Sequence, residues 1–258
     1  MKLVFRLVLT VSNHHKVYFV DVKLSGFATL SRQALSAPSP DDASTGDHAP
    51  GAPAPQRYHH GDLASALLDA GEAELADKGI EAFSLRGVAK RAGVSHAAPA
   101  HHFDDANGLL NAIAARGFER FVARQQDFRR HAAPTARAQM TASGQGYIAF
   151  ALENPALFRL MFGSDRTDFG CAPLKSAAEA AFDDLARHVA AVTGRASSAP
   201  DDPAALADVA SAWAMAHGLA DLLVAGRLRL LAELPDPVRE GVLAAILDRA
   251  LPVPAQTP

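Results

Sequence analysis

The segment 83–103, FSLRGVAKRAGVSHAAPAHHF, restricts the chain more than any other stretch. Ser84 is an N-cap candidate, and Leu85, Val88, Ala89 and Ala92 follow at helical spacing. Gly93 offers a glycine turn, Val94 an apolar plug and Ser95 a cap for a further helix ending near Phe103. This is helix-turn-helix syntax. Leu85, Val88, Ala89 and Val94 form the small core that fixes the angle between the two helices, and the small Ala89 lets them approach closely. The same geometry projects the N-terminal half of the second helix outward.

The surroundings agree with a helical chain. Leu63, Leu67, Ala70 and Ala73 repeat at 4-3-3 spacing, widened by Leu68 and Leu75, with Asp62 as a candidate cap and Gly79 as a stop. A longer helix reads from Leu109 to about Arg130, and breaks fall at Pro134, 163–173, 194–203 and 235–237. No alternating strand pattern follows residue 57, so the expected fold class is all-α: an N-terminal three-helix module and a larger helical domain. Residues 34–56 hold five prolines in 23 positions and sustain neither helix nor sheet. Upstream, 3–11 and 17–24 are β-branched, strand-like runs. Lys2 before an apolar stretch resembles a secretory leader, but Arg6 interrupts it and no small-x-small cleavage site follows soon. The expected division is an extension and linker over 1–56, a helix-turn-helix domain over 57–117, a helical regulatory and dimerisation domain over 118–251, and a tail over 252–258.

Charge is placed unevenly. The net charge of −3 gives no bulk attraction to nucleic acid or to anionic lipid. Residues 82–103, however, contain no acid, against Arg86, Lys90 and Arg91, with His96, His101 and His102 in the same window. Such a window suits a surface that approaches phosphates, and it equally suits a solvated helix face.

Rival chemistries find little purchase. One cysteine, Cys171, allows neither an intrachain disulfide framework nor a CxxC-type zinc site, and it fits a reducing compartment. His59-His60 and His101-His102 are adjacent pairs that point about 100° apart on a helix, and no i, i+4 histidine pair with an acidic partner occurs, so no metal is expected. Cys171 with His188 or His217 is the one candidate nucleophile and base, but no local signature, G-x-S-x-G or HExxH accompanies them, and no enzyme is expected. No apolar run reaches the ~18 residues a membrane span needs.

The stretch RYHHGDLASALLDAGEAELADKGIEAFSLRGVAKRAGVSHAAPAHHFDDANGLLNAIAARGF, Arg57 to Phe118, resembles the TetR family of transcriptional regulators. The order "GIEAFSLR", "VAKRAGVS", "HF", "LL" is the family's own. Trp213, His217 and Gly218 in WAMAHGLADLL, with ENPALFRLMFG at 153–163, are similar to the subgroup with a Trp-His-Gly signature in its C-terminal domain. The resemblance implies a cytoplasmic homodimer, without cofactor, that binds a roughly palindromic double-stranded DNA operator and represses transcription until an effector releases it. It places Ser84 and Arg86 at phosphates and sometimes a base, Ser95, His96, Ala97 and Ala98 at the start of the recognition helix, and His101 and His102 at the backbone. Two departures stand out: Ala100 replaces a frequent tyrosine and Ala106 a frequent lysine, both usual phosphate contacts. Their loss keeps open a helical ligand carrier or scaffold without DNA binding. For an effector, the apolar faces offer Tyr147 and Phe150, then Phe158, Met161 and Phe162, then Phe182, then Trp213 and His217, with Arg159 the sole cation nearby and directed outward. The expected ligand is apolar or weakly polar.

Overall fold

The structure, a computed structural model, describes residues 5–10, 17–22, 60–195 and 202–251. The linker at 34–56, Arg57, His59 and the tail at 252–258 lie outside the described residues. The two strand-like runs pair as antiparallel strands, β1 (Phe5–Thr10) and β2 (Val17–Val22), with Phe5 opposite Val22 and Thr10 opposite Val17. From His60 onward every regular element among the described residues is a helix, as the periodicity requires.

The first four helices are α1 (His60–Lys78), α2 (Leu85–Ala92), α3 (Ala98–Phe103) and α4 (Ala106–Arg130). Gly79 ends α1 with φ +74°, the left-handed turn that glycine adopts without penalty. Helix α1 starts two residues before Asp62, so that residue lies inside the first turn instead of capping it. Asp105 caps α4 and accepts the Gly108 N–H at 2.8 Å.

The remaining helices are α5 (Ala136–Glu153), α6 (Pro155–Gly163), α7 (Ala172–Thr193), α8 (Pro203–Val224), α9 (Arg229–Ala232) and α10 (Asp236–Ala250). Two breaks were not legible: Asn154 separates α5 from α6, and Gly226, at φ +67°, ends α8 within an apolar stretch. Pro155, Pro173, Pro203 and Pro237 each sit in the first turn of their helix, where a missing N–H costs nothing.

One hydrophobic core runs through the molecule. It takes Leu67 from α1, Val88 from α2, Leu109, Ile113 and Phe121 from α4, Ile148 and Phe150 from α5, Leu160 from α6, Leu174 from α7, Ala220 from α8 and Leu247 from α10. A smaller core joins Met140, Val189, Val192, Ala212 and Leu251. Between them Arg129 and Asp184 form a buried ion pair at 2.9 Å, and Ser143 accepts a second Arg129 N–H at 2.8 Å.

The segment after α6 ties the helix-turn-helix module to the rest. Arg166 donates to the Ile80 carbonyl at 2.8 Å and to Asn107 at 3.2 Å, and the Asp168 N–H donates to the buried Asn111 side chain at 2.9 Å. Phe169 packs edge-on to Phe118, centroids 6.3 Å apart.

Candidate nucleic-acid interface and ligand site

Helix α2 begins as the sequence predicts. Ser84 has extended backbone angles, and its hydroxyl accepts the Gly87 N–H at 3.2 Å. Val88 and Ala89 are fully buried, which turns Arg86 and Lys90 outward. Arg91 takes a different role. It donates to Glu74 through Nε at 3.3 Å and Nη2 at 3.1 Å, and to Asp77 at 3.0 Å, locking α2 onto α1. The pair with Glu74 raises the Arg91 pKa further, and Lys78 followed by Arg91 lowers that of Asp77. A side chain at Gly87 would place its Cβ 2.0 Å from the Glu74 carboxylate, so a glycine is needed for this approach.

Gly93 supplies the left-handed turn at φ +68°, and the Val94 N–H returns to the Ala89 carbonyl at 3.1 Å. Val94 packs on the core as the plug between the helices. Here one expectation is corrected. Ser95 does not cap α3; the helix starts at Ala98 with Ala97 at the cap position and no side-chain bond there. Ser95 contributes only its carbonyl, which accepts the Ala98 N–H at 3.1 Å. Pro99 in the first turn explains the late start, since its fixed φ favours helix and it has no N–H to satisfy.

Pro99 is buried and anchors α3. Ser95, His96, Ala97, Ala100 and His101 are exposed, while Ala98 and His102 are half-buried, with the His102 ring 6.2 Å from that of Phe103. Ser84, Arg86 and Lys90 are exposed too, in a stretch that holds no acid from 82 to 103 and is flanked by the exposed Glu81, Asp104 and Asp105. Those two cations and the exposed imidazoles match a polyanion.

A second group of candidate residues lies in the helices after α4. Tyr147 on α5, Phe158 and Phe162 on α6, and Trp213 and His217 on α8 pack as one aromatic cluster. Tyr147 and Phe162 stack at 5.9 Å, and Phe158 and Phe162 lie 5.4 Å from the His217 ring. Phe150 and Met161 are almost wholly buried beneath them, Met161 against Gly117 of α4. Phe182 is a correction. It joins neither hydrophobic core, because α7 buries the face through Ala181 and Asp184 and a one-residue step turns Phe182 aside by about 100°. Phe121 was missed by sequence reasoning, yet its ring is 4.7 Å from that of Tyr147. The signal was present, since Phe118 and Phe121 sit one turn apart on α4. Arg159 is exposed.

The polar groups within this cluster form a chain. Trp213 Nε1–H donates to the Tyr147 hydroxyl at 3.4 Å, and that hydroxyl lies 2.8 Å from His217 Nδ1. Burial pushes the Tyr147 pKa up and that of His217 down, the nearby Asp221 opposing the latter. Of the residues weighed for catalysis, His188 Nδ1 lies 2.7 Å from the Asp184 carbonyl, His217 Nδ1 meets the Tyr147 hydroxyl, and Cys171 stands at the N-terminus of α7 packed on the core. Among the described residues no group of three or more His, Cys, Asp or Glu is placed to hold a metal ion, and no helix is long and apolar enough to cross a membrane.

Comparison with known proteins agrees with this geometry. A protein of unknown function from Rhodococcus sp. RHA1 is 33% identical, covers 76% of this chain and 99% of its own, and superposes with a TM-score of 0.62. A TetR family transcription regulator from Marinobacter aquaeolei VT8 is 20% identical, with 73% and 94% covered and a TM-score of 0.54. The fatty acid degradation regulator FadR from Bacillus halodurans shares the fold at 13% identity, with 75% and 96% covered and a TM-score of 0.54. No curated protein matches the chain in sequence. The family profile "Bacterial regulatory proteins, tetR family" matches residues 67–113, and "Tetracyclin repressor-like, C-terminal domain" matches 140–246. The outward helix-turn-helix surface, the helical body behind it and these matches make the chain a member of the TetR family of bacterial regulatory proteins.

Proposed function

We propose that the protein is a DNA-binding transcriptional repressor that sits on a palindromic operator as a homodimer and is released by an apolar effector. The observation that carries this reading is the acid-free stretch of α2 and α3, where Arg86 and Lys90 are exposed while Arg91 is tied to Glu74. Arg86 and Ser84 hold phosphates, and His96, Ala97 and Ala98 reach the base edges. His101 and His102 meet the backbone, partly replacing the groups lost at Ala100 and Ala106.

Two such modules are needed, because one covers too few base pairs to find a unique site in a genome. We place the dimer contact on α8 and α10, where Leu222, Val238 and Val242 are exposed and the last two lie one turn apart. The effector enters beside Phe162, Trp213 and His217, the half-exposed members of the aromatic cluster, and spreads its rings. The convergence of Trp213 and His217 on Tyr147 supports placing the chain in the Trp-His-Gly subgroup. A regulator of this kind works in the cytoplasm.

Fluorescence anisotropy with a duplex from the intergenic DNA beside the coding region tests the reading. Arg86→Ala is expected to weaken binding by about 1–3 kcal/mol. Unchanged affinity would remove Arg86 from the interface.

A further inference from the structure

We propose that the protein reads thymine methyl groups, and that Ala97 and Ala100 are the residues that set its sequence preference. The inference rests on the DNA-binding reading above and goes beyond it by naming the base chemistry.

The backbone of Ala97 is already helical, at φ −81° and ψ −22°, so Ala97, Ala100 and His101 share one face by 3-4 spacing. All three are exposed, while Pro99 on the opposite side is buried. The outward face of α3 therefore carries two methyl groups and one imidazole, with His96 and Ser95 in the turn before it. Within α3 it presents no guanidinium, ammonium, amide or carboxylate, the groups that bond guanine, adenine or cytosine edges; the first carboxylate is the exposed Asp104 just past the helix end.

Three consequences follow from that chemistry. First, an alanine side chain is short, so its methyl touches a base only if the helix backbone seats deeply in the groove. The two alanines keep their part of the face free of long side chains, and deep seating there brings Arg86 and Lys90 of α2 toward the phosphates. Second, the thymine C5-methyl is the apolar group that the major groove displays. A methyl pressed against an amino group or a carbonyl of another base would leave that polar group without a partner. Alanine thus favours thymine by contact and rejects the other bases by exclusion. Third, an imidazole N–H finds an acceptor at N7 of either purine and at O4 of thymine, so His96 singles out no base and leaves the choice to the alanines. In a two-fold dimer the same thymines recur in both half-sites.

The test uses the full-length chain. Binding sites are selected from a random-sequence duplex library, and the selected duplex is remade with deoxyuridine replacing each thymidine in turn, which deletes only the C5-methyl. At the contacted positions the expected loss is about fourfold per methyl, and another base there is expected to cost roughly 5- to 150-fold. Ala97→Gly keeps the fold, since glycine is well tolerated at a helix cap, and it is expected to abolish the uracil penalty at one position while weakening binding to the thymine duplex. Ala100→Gly is expected to do the same at a second position. Uracil duplexes that bind as tightly as thymine duplexes at every position would overturn the proposal and leave DNA binding standing. A selection without thymine at fixed positions would overturn it as well. Failure to retain any duplex would overturn both the proposal and the reading beneath it.

Discussion

Trp213 Nε1–H can only donate, so the Tyr147 hydroxyl accepts from it, and the hydroxyl's second contact is His217 Nδ1 at 2.8 Å. Burial lowers the His217 pKa below its ordinary 6.5, so folding favours the neutral ring. The unfolded chain then binds the proton more readily than the folded one. Stability linked to His217 is complete above pH 6.5 and declines as the pH falls from there through the folded value. Urea midpoints measured between pH 7.5 and 5, both values set by the about one-unit windows around a histidine titration, are expected to fall, and His217→Phe is expected to flatten that part of the curve. A second residue-scale expectation concerns Asp184, which is buried beside Arg129. Asp184→Ala strands a buried guanidinium and is expected to cost about 3–5 kcal/mol in chemical denaturation. At this scale the sequence was informative where spacing carried the message: the Ser84 cap and the outward turn of Arg86 follow from it. It was silent on the partner of Arg91, because Glu74 lies 17 positions away and only packing of α1 on α2 joins them.

Helices α4 and α5 meet at glycine. A Cβ on Gly146 would lie 2.7 Å from the Gln125 Cα and 3.0 Å from the Arg124 carbonyl oxygen, both backbone atoms that cannot turn away. Gly146→Ala is therefore expected to force the two helices apart and to lower stability by about 1–3 kcal/mol, readable as a shift in thermal midpoint. Gly117 and Gly144 face flexible side chains of Met161 and Leu247 instead, so alanine there is expected to be milder. Helix boundaries were legible at Gly79, Gly93 and Pro203, where a glycine or proline coincided with the end of an apolar pattern. They were misread where a serine had no effect on the start, at Ser95, and where an apolar run hid a stop, at Gly226. Local capping chemistry is readable from sequence; the choice between two possible caps depends on Pro99 being buried against neighbouring helices.

For the whole molecule, we expect residues 1–56 to be dispensable. A chain beginning at Gln56 should melt as a folded protein and bind the same duplex with unchanged affinity; loss of binding would make the extension part of the interface. Micromolar solutions should sediment as a dimer, and a monomeric mass would count against a contact through Leu222, Val238 and Val242. The seam at Arg166 leads to an expectation about regulation. That segment follows α6, which carries Phe158 and Phe162, and it holds the Ile80 carbonyl and Asn107. Arg166→Ala is expected to leave operator affinity within about threefold while reducing the effect of an effector, since coupling of this type is worth about 1–3 kcal/mol. Anisotropy titrations with and without ligand would measure the difference.

The shared core has a further meaning for interchange of parts. Helix α4 spans about 37 Å, and its buried residues serve both the helix-turn-helix module and the regulatory body. Recombination at a loop between the two would therefore cut through packed side chains instead of a tether. A grafted head retains its orientation only if it brings a backbone carbonyl where Ile80 stands and amide side chains where Asn107 and Asn111 stand. New operator preferences are then more accessible through point changes on the face of Ala97 and Ala100 than through exchange of whole heads, so this lineage can diversify its targets one methyl at a time while its chassis stays fixed.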